Sequence, residues 1–490
     1  MRAEIPKEVR AIAGLLEQHG HQAYLVGGCL RDLLMGRDPK DWDIATDAEP
    51  GEVQAIFHDS VYENKFGTVG VKTGSEDPKL KIVEVTTFRL EGKYTDKRHP
   101  DEVVFAKTIE DDLSRRDFTM NAIALRIGSG EAVGDEDEIV DPYGGQKDIT
   151  AKTIRTVGEP KQRFNEDALR LMRAVRFAVD LRFEVEMNTR WAIEQEAGLL
   201  EVIAKERIRD EFTKMLMTPD AARGIILLEE LDLLRYVLPE LREGLGVGQN
   251  KHHIYTVFEH NVRALEYAAK QGYSLEVRLA SLLHDVGKPK TKHGNGPDST
   301  FYGHDRVGAK LAARALERLH FSRDTIEHVA HLIRFHMFYY NVGEVSAAGV
   351  RRFIARVGPE TIDDLMQVRE ADRIGSGVPK AVPYKMRHLQ FMIEKVKRDP
   401  VSPKMLAVRG EDVMRIAGIE PGPKVGHIIA ALLEEVLDDP ARNERGALEV
   451  RVRELVELSD VELTALRRKS EERKDEFEEG VEAEMKKKYW

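Results

Sequence analysis

The sequence predicts an α+β protein, with an N-terminal head built on a small mixed β-sheet and helices, followed by all-α segments to the end of the chain. Three observations predict it. Short apolar alternations bounded by Gly and Pro turns fall in the first third of the sequence. Beyond residue 155 they give way to charged stretches with the 3.6-residue period of amphipathic helices. At 490 residues the chain also exceeds what one hydrophobic core supports. The reading is a head at 1–150, a helical neck at 151–243, a histidine-rich helical segment at 244–375 and a helical body and tail at 376–490.

Apolar residues make up 42% and charged residues 33%, the composition of a globular protein rich in charged helix. No apolar run approaches the length of a membrane span, and MRAEIPKEVR lacks the apolar core of a signal peptide. Cys29 is the only cysteine, so no disulfide forms within the chain. The expectation is a cytoplasmic protein with no membrane partner. A net charge of −11 argues against a generally basic nucleic-acid binder, although a local strip would suffice. Arg155, Lys161, Arg163, Arg170, Arg173 and Arg176 form such a cluster.

Taken in order, residues 4–19 read as an amphipathic helix with Ile5, Val9, Ile12, Leu15 and Leu16 on one side. A strand at 23–27 ends in Gly27-Gly28, where backbone without Cβ can approach a phosphate closely. A short helical stretch carries Arg31-Asp32, which taken alone is a helix ion pair. Asp41-Trp42-Asp43 then opens a second strand at 41–45, whose two-residue period would put both carboxylates on one face. Such a pair repels unless a cation sits between, and Mg²⁺ with substrate phosphates is the usual solution. Strands follow at 68–72 and 80–88. Glu84 in the second is either an edge-strand solubility device or a third carboxylate on the metal, where it would serve as general base. Residues 88–100 have no period and read as a mobile loop. Arg115-Arg116-Asp117-Phe118-Thr119-Met120-Asn121-Ala122 precedes a strand at 123–127, and Asp141 to Gly145 form a turn that closes the head. Glu166 to Phe177 reads as one helix, with Asp167 and Arg170 three apart.

Gly-Gly followed by D-x-D is the pattern of the DNA polymerase beta-like nucleotidyltransferases. With R-R-D-F-T-M-N-A and E-D-A-L-R in the same order, the first half of the chain resembles the class II CCA-adding enzymes and the similar bacterial poly(A) polymerases. The resemblance implies template-independent addition of CCA to the 3′ end of tRNA from CTP and ATP, with pyrophosphate released. It makes Asp41 and Asp43 the Mg²⁺ ligands. It places Gly28, Arg31, Arg116 and Asn121 at the nucleotide, with Arg31 on the triphosphate, and Asp117 on the ribose 2′-hydroxyl. It makes the loop at 89–99 the segment that helps the shift from CTP to ATP.

It also places base selection on Asp167 and Arg170, with Arg173 and Arg176 beside the nucleotide. The chemistry is direct. Cytosine and adenine present an amino donor beside a ring-nitrogen acceptor, which suits a carboxylate and a guanidinium. Guanine and uracil present the reverse order, and leave both charged groups unpaired at a cost of roughly a few kcal/mol.

A second constellation lies downstream. Most of the 16 histidines fall between 252 and 336. His260, the adjacent pair His284-Asp285 after an apolar helix, and Asp372 form an H…HD…D pattern that resembles the HD phosphohydrolase domain. His304 and His336 are candidates for a second metal. Imidazole and carboxylate together suit Mn, Fe, Ni or Zn, and such a site activates water against a phosphoester, here a phosphate or a 2′,3′-cyclic phosphate end. Residues 376–465 read as helices that would hold the tRNA acceptor and T arms. Arg467 to Lys488 is a charged tail. The rival readings are a poly(A) polymerase or an enzyme adding only CC or only A, and a metal-dependent phosphohydrolase whose head senses nucleotide.

Overall fold

The computed structural model describes residues 5–62, 67–91, 103–127, 138–250, 254–338, 340–342, 345–377, 384–397, 399–459, 462–463 and 465–466. The chain divides into two units: Met1–Arg242 with Ala315–Ser322, and Glu243–Arg314 with Arg323–Trp490.

The first unit begins with α1 (Lys7–Gln18), β1 (Ala23–Val26), α2 (Gly27–Leu34), β2 (Asp43–Thr46) and α3 (Pro50–Ile56). Next come β3 (Ser60–Tyr62), β4 (Thr68–Lys72), β5 (Ile82–Thr87), β6 (Arg89–Glu91) and β7 (Val103–Phe105). Helix α4 (Ile109–Ser114), β8 (Ala124–Arg126), β9 (Ile139–Val140) and α5 (Gly145–Ala151) complete the head. Seven strands form one mixed sheet in the order β3-β4-β5-β2-β1-β8-β9, in which β2 and β5 run parallel and the other neighbours antiparallel. Alternation along β1 explains its two faces. Ala23 and Leu25 join Val9, Ile12 and Leu16 of α1 in one core, while Tyr24 and Val26 join Phe88 and Leu113 of α4 in another. Ile44, Val83 and Val85 point to the α1 side, so Asp43 and Glu84 point to the other.

Three sequence expectations shift. The second strand starts at Asp43, not at 41, so Asp41 sits exposed ahead of it and the two-residue period does not apply to the pair. Buried Trp42 breaks the alternation there, and its carbonyl accepts the Glu84 N–H at 3.0 Å. Residues 88–91 are not loop: Phe88 is buried and Arg89–Glu91 pairs with Val103–Phe105. The remainder of the expected loop, from 92, lies outside the described residues.

Helices α6 (Pro160–Glu166), α7 (Leu169–Leu181), α8 (Met187–Glu196), α9 (Lys205–Leu216), α10 (Ala221–Glu230), α11 (Leu234–Val237) and α12 (Pro239–Arg242) follow. The single helix expected over 166–177 is broken at Asp167, whose backbone is extended at φ −133° and ψ 104°. Leu169, Met172 and Val175 of α7 are buried, as their spacing predicts.

The second unit is helical: α13 (Val257–Lys270), α14 (Leu275–Leu283), α15 (Lys288–Thr291), α16 (His304–Arg318), α17 (Arg323–Phe335), α18 (Ala347–Val357) and α19 (Ile362–Gly375), then α20 (Tyr384–Val396), α21 (Gly410–Ala417), α22 (Pro423–Asp438) and α23 (Arg445–Val456). Small residues bring α13 and α19 together. Ala264, Ala268 and Ala371 are fully buried between them, and a Cβ on Gly375 would lie 3.0 Å from the His260 carbonyl. The last helices share a separate core of Val413, Leu432, Val436, Leu448 and Val452. The charged tail at 467–488 lies outside the described residues.

Close approach matters most at the turn that ends the head. A Cβ on Gly145 would meet the Thr119 carbonyl at 2.2 Å and Ile123 Cγ1 at 2.7 Å. Gly145→Ala is therefore expected to destabilise the first unit by about 1–3 kcal/mol, read as a lower unfolding midpoint in thermal or denaturant melts.

Candidate functional site

A cavity of about 1190 Å³ in the first unit is lined by Asp41, Asp43, Glu84, Gly28, Arg31, Arg116, Asp117, Asn121, Asp167, Arg170, Arg173 and Arg176. The head and neck residues expected at the metal and the nucleotide therefore line one cavity, although they span more than 130 positions, while Arg155, Lys161 and Arg163 of the expected basic cluster are not among its lining residues.

Its floor is acidic. The β2–β5 register sets Asp43 opposite Glu84, and Asp41 lines the same wall. Burial first, and then the charges of Asp41 and Glu84, together raise the Asp43 carboxyl to about 7 against the opposing charge of Arg116. Three carboxylates around one spot suit a hard divalent cation with oxygen ligands. Like charges keep apart, however. Three-ligand groups with all ligand atoms within 4.8 Å occur, among the described residues, in the histidine cluster below and not here.

Gly27, rather than Gly28, carries the conformational demand at the cavity edge. Its φ is +73°, and a Cβ there would lie 3.2 Å from Arg116 Nη1 and 3.3 Å from Asp43 Oδ2. Helix α2 starts at this point with no side-chain cap, which leaves amide donors suited to an anion. Cys29 is buried one turn below, its thiol donating to the Val26 carbonyl at 3.0 Å.

The other walls are guanidinium groups tied to acids. Arg31 donates to Asp32 Oδ1 at 2.7 and 2.9 Å and to Asn121 Oδ1 at 2.9 Å. Asn121 in turn donates to Asp117 Oδ1 at 3.0 Å, and Asp117 Oδ2 accepts from Arg173 at 2.6 and 2.8 Å. Burial alone would raise the Asp117 carboxyl, but Arg173, the Asn121 bond and Arg170 hold it far below the usual range. Arg31 and Arg173 both stand 5.2 Å from the centre of the Phe177 ring.

Asp167 and Arg170 do not form the i,i+3 pair that a continuous helix allows. Asp167 sits in the break between α6 and α7, where its Oδ1 accepts the Leu169 N–H at 3.0 Å. Arg207 of α9 grips it with both arms, at 2.9 and 3.2 Å. Arg170 donates to Glu166 Oε2 at 2.7 Å and to the carbonyls of Arg163 and Arg115, each at 3.0 Å. Arg176 donates to buried Glu211 at 2.5 Å. The basic cluster read from the sequence is therefore not an open strip. Arg155, Arg163, Arg170, Arg173 and Arg176 each pair with a carboxylate, and Lys161 lies 4.3 Å over the Trp191 ring. Arg207 and Glu211 escaped the sequence reading. Their i,i+4 spacing on one helix was visible, but the partners on α7 and at Asp167 were not.

The second unit holds the histidine cluster. His260 Nε2 lies 2.9 Å from His284 Nε2, 3.3 Å from Asp285 Oδ2 and 3.2 Å from Asp372 Oδ1. His304 and His336 approach Asp285 Oδ1 at 3.4 and 3.8 Å. All six residues are buried, and five of them form two overlapping groups that could hold a metal, His260–His284–Asp285 and Asp285–His304–His336, with Asp372 beside the first. Helix geometry sets the tautomers. Nδ1 of His284, His304 and His336 faces the carbonyl three residues earlier at 2.8, 2.7 and 2.6 Å, so Nδ1 donates and Nε2 keeps its lone pair for the cluster. Nε2 of His304 and of His336 has no hydrogen-bond partner among the described residues. Buried imidazole acceptors of this kind fit a metal.

Family models match the regions of the chain that carry the cavity and the histidine cluster. The Poly A polymerase head domain matches residues 23–155, the probable RNA and SrmB-binding site of polymerase A matches 182–245, and the HD domain matches 257–376. The chain is 37% identical to an A-adding tRNA nucleotidyltransferase of Deinococcus radiodurans, over 84% of this chain and 91% of that one. It is 32% identical to a CCA-adding enzyme of Enterococcus faecalis, over 91% and 95%. It belongs to the CCA-adding enzyme family of tRNA nucleotidyltransferases. A crystal structure of the Bacillus stearothermophilus CCA-adding enzyme in complex with CTP superposes with a TM-score of 0.68 at 31% identity, covering 92% of this tRNA nucleotidyltransferase and 98% of that chain. No helix among the described residues is long and apolar enough to cross a membrane.

Asp285 touches both candidate metal groups, so its loss should remove most bound transition metal. Elemental analysis of purified Asp285→Ala against the parent protein is expected to show metal falling severalfold, with nucleotide incorporation kept.

Proposed function

We propose that this tRNA nucleotidyltransferase adds C, C and A to the 3′ end of tRNA without a template, using CTP and ATP. The observation that carries the reading is that one cavity is lined both by the carboxylates Asp41, Asp43 and Glu84 and by Asp167 and Arg170. The CCA-adding name of the Enterococcus relative and the CTP-bound Bacillus structure support it.

In this reading the uncapped start of α2, with Gly28, Arg31 and Arg116, takes the triphosphate. Asp117 and Asn121 meet the ribose, and Asp117 prefers a 2′-hydroxyl because it stays ionised beside Arg173. Asp167 accepts the amino group of cytosine or adenine, Arg170 donates to the ring nitrogen, and Arg173 and Arg176 complete that wall. Glu84 accepts the proton of the RNA 3′-hydroxyl. Asp41 and Asp43 would hold Mg²⁺, which would supply Lewis-acid activation of that hydroxyl and charge neutralisation for the leaving pyrophosphate. The helical neck at 151–243 carries the base-reading wall, and the body and tail from 376 hold the tRNA acceptor and T arms.

A transcript lacking CCA, incubated with CTP and ATP together and singly and then end-sequenced, tests this. The expected products are CCA with both nucleotides and CC with CTP alone. Asp43→Ala should lower incorporation by at least a hundredfold while tRNA binding persists. Products extended only by A, and only from ends already carrying CC, would favour the second reading. That reading is A addition alone, which the name of the Deinococcus relative supports.

We infer further that the 244–375 segment is a metal-dependent phosphohydrolase acting on phosphate or 2′,3′-cyclic phosphate ends. His260, His284, Asp285 and Asp372 would hold a first Ni, Mn, Fe or Zn, and His304 and His336 would serve a second. Release of inorganic phosphate from a 2′- or 3′-phosphate, stimulated by one of these metals and lost in Asp285→Ala, is the expected result. Equal release by both proteins would sink it.

A further inference from the structure

Asp112, on α4, lies behind the cavity wall and is 1% exposed. No sequence motif drew attention to it, yet it is where several strands of the site meet. Its Oδ1 accepts from Arg115 Nη2 at 2.7 Å and Nε at 3.0 Å, and its Oδ2 accepts from Arg116 Nη2 at 3.0 Å and Nε at 3.3 Å. The backbone N–H of Arg89, at the root of the β6–β7 hairpin, donates to Oδ1 at 3.4 Å. Arg89, Arg115 and Arg116 all line the cavity.

Each of these contacts has a consequence on the cavity side. Two successive arginines repel each other, and a buried carboxylate with one oxygen for each fork removes that repulsion. The pairing leaves Arg116 Nη1 pointing past the Asn121 carbonyl, at 3.5 Å, toward Gly27 and Asp43. On the other side the Arg115 carbonyl accepts Arg170 Nη2 at 3.0 Å. Burial works against the Asp112 charge, and Arg116 and Arg115 overcome it. An asparagine in its place would turn an amide donor against one of the guanidinium groups.

We propose that Asp112 is a positioning residue for nucleotide binding, which sets Arg116 over the triphosphate end of the cavity and steadies Arg115 beneath Arg170. The inference rests on the reading of Arg116 as a triphosphate contact. It says how that contact is held, and it ties the hairpin root to the same carboxylate.

Steady-state kinetics with full-length protein and a tRNA acceptor tests it. Asp112→Asn is expected to raise KM for CTP and ATP about tenfold, with kcat changed much less. Arg116→Ala should raise KM at least as far, and in the double variant the two effects should fall well short of multiplying, the remainder reflecting the Arg115 contact. If Arg116→Ala leaves KM unchanged, the triphosphate reading fails and the proposal falls with it. If Arg116→Ala raises KM but Asp112→Asn does not, or if the two effects multiply, only the positioning role is overturned. Should Asp112→Asn not fold, Asp112→Glu keeps the charge and displaces it by one methylene. A raised KM at an unchanged melting temperature then supports the role, and a parental KM overturns it.

Discussion

Guanidinium groups line the nucleotide cavity, and its shape depends on the carboxylates that hold them. Arg31 leans on Asp32, Arg115 and Arg116 on Asp112, Arg170 on Glu166, Arg173 on Asp117 and Arg176 on Glu211. Long cationic side chains are costly to order, and a carboxylate behind each one meets part of that cost within the protein. Burial strengthens the arrangement. Asp112 and Glu211 are almost fully buried, so removing either would leave a desolvated arginine without its counter-charge. The acidic floor is built the opposite way. Asp43 and Glu84 face each other across parallel strands with Arg116 as the opposing charge, and burial together with the charges of Asp41 and Glu84 leaves the Asp43 carboxyl at about 7. One wall is electrostatically satisfied within the protein, and the other carries the negative charge that the proposed Mg²⁺ would meet.

The histidine cluster reaches its order by another route. Three of its four imidazoles, those of His284, His304 and His336, are set by main-chain carbonyls three residues back, a bond that any residue type at that position can provide. What the sequence must add is close helix packing. The alanines between α13 and α19, and Gly375 against the His260 carbonyl, let Asp372 come within 3.2 Å of His260. Larger side chains at those places would separate the two ends of the H…HD…D pattern without touching any ligand.

Where the sequence was legible, a local pattern carried the information. Strand alternation located β1, β4 and β5, helical periodicity located the buried side of α7, and glycine with proline marked the turns. Motif resemblance led to residues that prove to share one cavity and one cluster. What escaped was set by neighbours distant in sequence. Trp42 is drawn into the head core and delays β2 until Asp43. The break at Asp167 reflects its clamp by Arg207 and its bond to the Leu169 amide, neither of which periodicity reports. The arginine cluster at 155–176 looked like an RNA-binding strip because three of its counter-charges, Asp117, Asp148 and Glu211, lie outside that stretch, and only Glu166 lies within it. Asp112 carries no motif signal, since a buried acid one helical turn from two arginines looks like any capped helix end.

The clamp on Asp167 bears directly on the proposed selection of bases. An ionised carboxylate has about four lone-pair sites. Arg207 takes one on each oxygen, and the Leu169 amide takes another on Oδ1. What remains is acceptor capacity on Oδ2, which suits one amino group and no more. Arg170 is constrained alike: Glu166 and the Arg163 carbonyl hold one arm, and the Arg115 carbonyl takes a hydrogen of the other. A carboxylate and a guanidinium restricted in this way cannot turn to accommodate a base that presents its groups in reverse order. On the proposed reading of the site, rigidity does in this cavity what a template strand does elsewhere. It makes a mismatch an unpaired charge rather than a small rearrangement.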